Sequence, residues 1–295
     1  MKGGATAATQ TVKWRGVALV ALGALGFSSG IVFNRCIVGL GALNIAFFRA
    51  LAGFIFFSAL LPRHPQSLRV REYRGAVKYL LGLGVAVGLT ATLYIYAVRQ
   101  TTAANAVLLN NTSMLYVALL APWLLGEERP RYIWLSLGLA LAGIICIANP
   151  ARSELHAADT RGIIAGALSG ITYAGTMLFS RRLRGRVDGL TQVWWSTGSA
   201  ALIALPWAFN TPWAAFVHNL PFLLALGIIA LAWPYLLYFW GLERVEAQVV
   251  SVVALLEPVS GVLIGLLVYQ ELPGPLGALG MALVLVSILL IVGVK

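Results

Sequence analysis

Two ionisable side chains lie deep inside long apolar segments, and they are the strongest candidates for binding chemistry. Arg49 lies 8 residues into the segment 41–61, and Glu257 lies 10 residues into the segment 247–269. An Arg or Asp at the centre of a membrane helix costs about 2.5 to 3.5 kcal/mol, so such groups usually bind something or pair. The two charges could hold the carboxylate and the ammonium of a zwitterionic substrate, or they could pair with each other and join their helices.

Aromatic side chains at similar depth could line the same space. Trp233 stands beside a proline and is followed by Tyr238, and we expect this pair to border the space that holds a flat or apolar substrate group. Tyr173 and Tyr94 are further candidates for substrate binding, and Tyr94 and Tyr238 occupy matching positions in an internal repeat. Ordinary helix packing is the alternative for each of them.

Amides and prolines interrupt three of the apolar segments. Asn110 and Asn111 open a run of four polar residues that cannot all face lipid, so they either line a path or bond to other helices. Pro234 and Pro258 lie in mid-segment, where each removes a backbone donor. Broken helices of this kind mark binding or gating regions in transporters, although neighbouring helices can also satisfy a simple kink.

The sequence carries no pattern for catalysis, for a metal or for a cofactor. Its three histidines stand apart in polar connections, and its two cysteines are 110 positions apart. The chain has no Gly-x-x-x-x-Gly-Lys-Ser/Thr sequence for holding nucleotide phosphates. We therefore predict a protein that is not an enzyme and that needs no metal or cofactor.

These residues sit in a chain that is 60% hydrophobic and only 11% charged. Apolar runs of about 20 residues are long enough to cross a bilayer as helices. We predict an all-α membrane protein with ten such spans: 16–36, 41–61, 77–98, 103–125, 131–149, 162–182, 189–209, 220–242, 247–269 and 275–294.

The basic residues predict which way the spans run. Sixteen of the 21 Lys and Arg residues fall on the side of the N-terminal tail, residues 1–15, while four fall on the other side and Arg49 lies inside a span. This asymmetry predicts that both termini are cytoplasmic and that the protein is a multi-pass protein of the bacterial inner membrane. The basic residues behind the net charge of +11 then orient the protein in the membrane and contact anionic lipid. Nucleic acid is not an expected partner.

An internal repeat divides the chain. Residues 16–149 and 161–295 form two halves joined by a linker at 150–160. Arg35 falls on Arg181 at a shift of 146, and Glu127 falls on Glu271 at a shift of 144. Five spans per half force the two copies into opposite orientations, which is a common plan of secondary transporters.

The chain resembles the EamA-type branch of the drug/metabolite transporter superfamily. The resemblance rests on the five-plus-five repeat, the pairs Gly126-Glu127 and Gln270-Glu271, the intramembrane Arg49 and the Leu256-Glu257-Pro258 break. Within that branch it looks most similar to aromatic amino acid exporters of the YddG type. The resemblance implies a basket with a central cavity walled by spans 1–4 and 6–9. The second half has Ser196 or Thr197 where Arg49 falls, so both halves cannot share an arginine role.

We therefore expect a secondary transporter that exports small metabolites, amino acids including aromatic ones, by alternating access through a central cavity. An exporter of drugs or other metabolites, coupled to protons, is the alternative within transporters. A multi-span enzyme acting on lipid-linked substrates is the alternative outside them. It would need a cluster of ionisable groups at one interface, whereas only Arg49 and Glu257 lie at mid-depth.

Overall fold

The computed structural model describes residues 2–63, 75–149 and 160–293, and these residues form helices and no strands. The predicted linker lies almost entirely outside the described residues. The helices, numbered in chain order, are α1 (Lys2–Ser28), α2 (Gly30–Cys36), α3 (Ala42–Leu60), α4 (Val77–Gln100), α5 (Ala103–Asn111), α6 (Ser113–Leu125), α7 (Ile133–Ala148), α8 (Thr160–Arg182), α9 (Gly189–Ala204), α10 (Trp213–Gly227), α11 (Trp233–Leu242), α12 (Ala247–Val253), α13 (Leu256–Tyr269) and α14 (Pro275–Gly293).

Eight helical stretches in the described part are long and apolar enough to cross a membrane. The other two predicted spans correspond to α7 and α9, which have 16 residues each. A helix of that length covers about 24 Å, less than the roughly 30 Å of a hydrocarbon core. The helix α9 ends early because the chain tightens into a 3₁₀ turn at Leu205–Asn210, which contains Pro206. The prediction of ten full-length spans is therefore not confirmed.

Two long helices are broken at matching places in the two halves. The first break separates α5 from α6 at Thr112, and the second separates α12 from α13 at residues 254 and 255. A shift of 144 carries residues 110 and 111 onto the second break. Pro258 explains that break, because it cannot donate to the Ala254 carbonyl, which accepts from the Glu257 N–H at 2.9 Å instead.

Pro234 follows a second kind of irregularity. Residues 228–232 form one π-helical turn between α10 and α11, and the Trp233 N–H donates to the Ile228 carbonyl, five residues back. The extra residue in this turn changes the helical register before Pro234. Both prolines that the sequence singled out thus stand within four residues of a distortion in their helices.

Close helix contacts depend on glycine. The closest approach to a backbone atom involves Gly227 at the end of α10, where a Cβ atom would lie 2.4 Å from the Arg49 carbonyl oxygen of α3. The helices α7 and α14 meet at Gly143 and Gly280, where a Cβ on Gly280 would lie 2.6 Å from the Gly143 carbonyl oxygen. Backbones can approach this closely only where no side chain intervenes.

The bundle has two ends, which we name by their carboxylates. Ala247, the first residue of α12, donates its N–H to Glu127 at 2.9 Å, which defines the Glu127 face. Glu271 follows Tyr269, the last residue of α13, and defines the Glu271 face. The broken helix α12–α13 separates the two carboxylates by roughly 34 Å at about 1.5 Å per residue. They therefore lie at opposite ends of the bundle.

Candidate functional site

A small cavity lies among α3, α4, α9, α11 and the π-helical turn. It is lined by Ala46, Arg49, Ala50, Val87, Ala91, Thr92, Thr197, Ala200, Ala204, Leu231 and Tyr235. The lining residues of α3 come from its first half, and those of α9 come from its second half. The start of α3 and the end of α9 lie together, because Asn44 near the start of α3 donates to Thr211 beyond the end of α9 at 2.8 Å. Both adjoin the Glu271 face, because Arg35, shortly before α3, pairs with Glu271 at 2.8 Å. The cavity therefore runs from mid-depth toward the Glu271 face.

Arg49 supplies the positive charge in the wall of this cavity. Its side chain stays partly exposed although it lies in the middle of the bundle. Tyr235, Tyr94 and Glu257 are the titratable groups close enough to act on its charge. The close contact of Gly227 with the Arg49 backbone fixes the position of this turn of α3. A guanidinium held in this way can bind a carboxylate with two parallel hydrogen bonds.

Glu257 lies in the first turn of α13, just after the break, and is also partly exposed. Ser28 fixes its backbone, because the Ser28 hydroxyl lies 2.8 Å from the Glu257 carbonyl oxygen and 2.6 Å from the Ser260 hydroxyl. Within the described residues no ion pair or hydrogen bond joins the Glu257 and Arg49 side chains. The two charges thus act on each other without neutralising each other by direct contact.

Tyrosines surround the two charges. Tyr173 and Tyr238 are buried and lie close to Glu257. The Tyr238 hydroxyl has no hydrogen-bond partner among the described residues, and its approach to Tyr173 does not meet hydrogen-bond geometry. A buried hydroxyl without a partner is costly, so the hydrogen-bonding capacity of Tyr238 is unused in this structure. Tyr94 is partly exposed and interacts electrostatically with both Arg49 and Glu257.

Tyr235 is a cavity residue that the sequence analysis missed. It lies in the cavity wall, and its ring packs edge-on against Phe27 at a centroid distance of 4.9 Å. The signal was present in the sequence, because Tyr235 and Tyr238 are three residues apart and therefore lie on the same side of α11. The sequence analysis predicts Trp233 instead as the inward residue of this turn.

The position of Trp233 argues against the predicted role in substrate binding. Its side chain is 44% exposed, like that of Ile229 at 50%, and it is not part of the cavity wall. Two residues along a helix turn the side chain by about 200°, so Trp233 faces away from Tyr235. Its exposed face is the outer face of α11, where an indole ring suits contact with lipid.

Asn110 and Asn111 lie at the first helix break, outside the cavity wall. The Asn110 side-chain oxygen accepts from Ser169 of α8 at 3.1 Å, so it joins two helices. The Asn111 amide donates to the Val107 carbonyl of its own helix at 2.9 Å. Asn110 thus bonds to another helix, whereas the bond of Asn111 stays within its own helix. No group of three or more His, Cys, Asp or Glu side chains suited to a metal occurs in the part of the chain that the structure describes.

Comparison of the sequence with known proteins finds a transporter family and relatives that are named as transporters. The model of the EamA-like transporter family matches residues 14–149 and 160–293. An uncharacterized transporter of Archaeoglobus fulgidus is 29% identical over 93% of this chain and 95% of its own. The pseudopaline exporter CntI of Pseudomonas aeruginosa is 27% identical over 92% of this chain and 94% of its own. A solved crystal structure has the same fold, with a TM-score of 0.74, 21% identity and 96% of both chains covered.

Proposed function

Because this chain belongs to the EamA-like transporter family, it is a membrane transporter, and we propose that it exports small zwitterionic metabolites, amino acids among them. The observation that carries the proposal is the cavity with Arg49 in its wall and Glu257 nearby. Two opposite charges without a direct bond match a substrate that carries both an ammonium and a carboxylate.

Export by alternating access is part of the same proposal. A named relative is a pseudopaline exporter, which supports outward transport of a small metabolite. The sequence has no phosphate-binding loop, which favours a secondary transporter over a nucleotide-driven pump. Aromatic amino acids are proposed substrates because Tyr235 offers its ring at the cavity wall. Coupling to protons is a further possibility that a pH gradient tests directly.

Purified protein in liposomes tests this function. We expect labelled phenylalanine, tryptophan and threonine to leave loaded vesicles faster than from vesicles without protein. Runs with and without a pH gradient measure coupling, and amino acids esterified at the carboxyl group measure the need for a carboxylate. Efflux of the esters at the same rate as the free amino acids would contradict the zwitterion proposal. No efflux of any amino acid would leave a drug or another metabolite as the substrate.

We also propose the arrangement of ten helices as two inverted halves with both termini in the cytoplasm. The Glu127 face is then cytoplasmic, since Arg181, Arg182, Arg184 and Arg186 gather at its end of α8. We propose the inner membrane of a bacterium as the location of the protein. Two exposed positions, Arg184 and Asn210, lie on opposite sides in this topology.

Cysteine labelling tests the topology. In a protein whose Cys36 and Cys146 are replaced by Ser and Ala, a cysteine at position 184 should react only when the reagent reaches the cytoplasm. A cysteine at position 210 should react with an impermeant maleimide added to intact cells. Both positions are exposed, so a difference in their labelling reports the side of the membrane on which each lies and not a difference in burial. External labelling at position 184 would overturn the inverted arrangement.

A further inference from the structure

Among the described residues two ion pairs join the halves of the protein, and they occupy equivalent positions in the repeat. Arg181 of α8 pairs with Glu127 after α6 at 2.5 Å, and Arg35 of α2 pairs with Glu271 after α13 at 2.8 Å. A shift of 146 carries Arg35 onto Arg181, and a shift of 144 carries Glu127 onto Glu271. Each pair takes its arginine from one half and its carboxylate from the other, and the two pairs lie at opposite faces.

The two pairs differ in their surroundings. The Arg181 and Glu127 side chains are each 8% exposed, whereas those of Arg35 and Glu271 are 48% and 55% exposed. An exposed pair contributes about 0 to 1 kcal/mol to stability, and two copies of one contact would ordinarily be alike. The difference therefore marks a conformational state in which the two faces are not equivalent.

The buried pair is docked on the corner between α11 and α12, residues 242–247. Arg181 donates to the Leu242 carbonyl at 2.6 Å, and Glu127 accepts from the Ala247 N–H at 2.9 Å. Leu242, Val245 and Ala247 are at most 1% exposed, so this face is closed. The equivalent corner of the first half lies between α4 and α5, where a shift of 144 gives Val98 and Ala103.

The exposed pair is held differently. Arg35 lies over the Tyr269 ring, 3.9 Å from its centroid, and the hydrogen bonds of the structure do not join it to Val98. The cavity lies in the half of the bundle nearer this Glu271 face. The undocked pair thus lies at the end of the bundle nearer the cavity, and the docked pair lies at the opposite end.

We infer that the two ion pairs alternate during the transport cycle. Each acts as a latch, which here means an ion pair that holds one face of the bundle closed in one of the two states. In this structure the Arg181–Glu127 pair holds the Glu127 face closed by docking on the α11–α12 corner. In the opposite state the Arg35–Glu271 pair docks on the α4–α5 corner, with Arg35 on the Val98 carbonyl and Glu271 on the Ala103 N–H, while the first pair leaves its corner. The inference rests on the alternating access of the proposed function, and it does not depend on the substrate.

Two reporter cysteines distinguish the states, again in a protein without Cys36 and Cys146. Thr92 lines the cavity and is partly exposed. Its equivalent at a shift of 144 is Leu236, which is 2% exposed and lies toward the closed face. The rate of alkylation by a maleimide in permeabilised membranes measures how accessible each reporter cysteine is, and so how open its side of the protein is.

Neutralising the buried carboxylate should open the closed face. With Glu127→Gln we expect labelling at position 236 to rise about tenfold and labelling at position 92 to fall, which corresponds to about 1.4 kcal/mol between the states. The exchange of charges, Arg181→Glu with Glu127→Arg, restores an ion pair but cannot donate to the Leu242 carbonyl or accept from the Ala247 N–H. We expect it to leave the face open, and a return to the original labelling would contradict docking.

Glu271→Gln gives the sharper test, because its side chain is exposed and we expect the variant to fold normally. A purely structural surface pair predicts no effect. A latch predicts that labelling at position 236 falls about tenfold, or by about 1.4 kcal/mol, because the opposite state loses its lock. The control is Glu128→Gln, an exposed carboxylate beside Glu127 with the same charge change. Unchanged labelling with Glu271→Gln would overturn the latch, whereas a failed efflux assay alone would not.

Discussion

Replacing Arg49 by Gln is expected to reduce the transport of zwitterions by about 10- to 100-fold while the protein still folds. The guanidinium lies in the cavity wall and has no direct bond to Glu257. A charged hydrogen bond to a substrate carboxylate contributes roughly 1.5 to 3 kcal/mol, and each 1.4 kcal/mol is a factor of about ten in affinity. Glu257→Gln should cause a similar loss through the substrate ammonium. Initial efflux rates from liposomes measure both effects.

Thermal stability separates this role from mutual support of the two charges. If Arg49 and Glu257 mainly stabilise each other, each single variant leaves one uncompensated charge, and the double variant recovers stability. We expect instead that the two losses of stability are small and add, since the side chains do not touch. Trp233→Ala, on the outer face of α11, is the control and should transport normally. An unstable Glu257→Gln that Arg49→Gln rescues would rule out the substrate role.

Gly227→Ala is expected to have the largest effect on stability among conservative changes. Its new Cβ would lie 2.4 Å from the Arg49 carbonyl oxygen and 2.7 Å from the Ala52 Cβ, so α10 and α3 must separate. Overpacking of this kind typically costs about 1 to 3 kcal/mol. In a protein of this size we expect the apparent Tm to fall by roughly 2 to 10 °C. Transport should fall as well, because the displaced turn carries Arg49.

Gly138→Ala is the matched control for this experiment. Gly138 lies inside α7, and a Cβ there would meet no atom within 4 Å. Alanine is favoured over glycine in a helix by up to about 1 kcal/mol, so this variant should be as stable as the original protein or more so. Thermal unfolding in detergent, followed by size-exclusion chromatography, compares the two variants. Equal stability of both would show that α10 can move away from α3 without cost.

The sequence determined those features that depend on composition and local spacing. Long apolar runs predicted helices, and the structure confirms an all-helical protein with eight helices of spanning length in its described part. Pro258 predicted a broken helix, because a missing N–H acts on its own turn whatever lies nearby. The family was also evident, since the Gly126-Glu127 pair and its counterpart stand at fixed places in the chain. Arg49 stood out because a charge in an apolar run is rare.

Only the tertiary structure decided which side of each helix faces the cavity. A helix turns by about 100° per residue, so Trp233 and Tyr235, two residues apart, face opposite sides of α11. The sequence analysis predicts Trp233 as the inward side chain, whereas the cavity wall contains Tyr235. Depth in the sequence could not show this, because the two residues lie at the same depth. The repeat likewise predicted that Arg35 corresponds to Arg181, but it could not predict that only one of their ion pairs is buried. The repeat in the sequence predicts the same ion pair in both halves. The two pairs become different only when the helices pack into one conformational state.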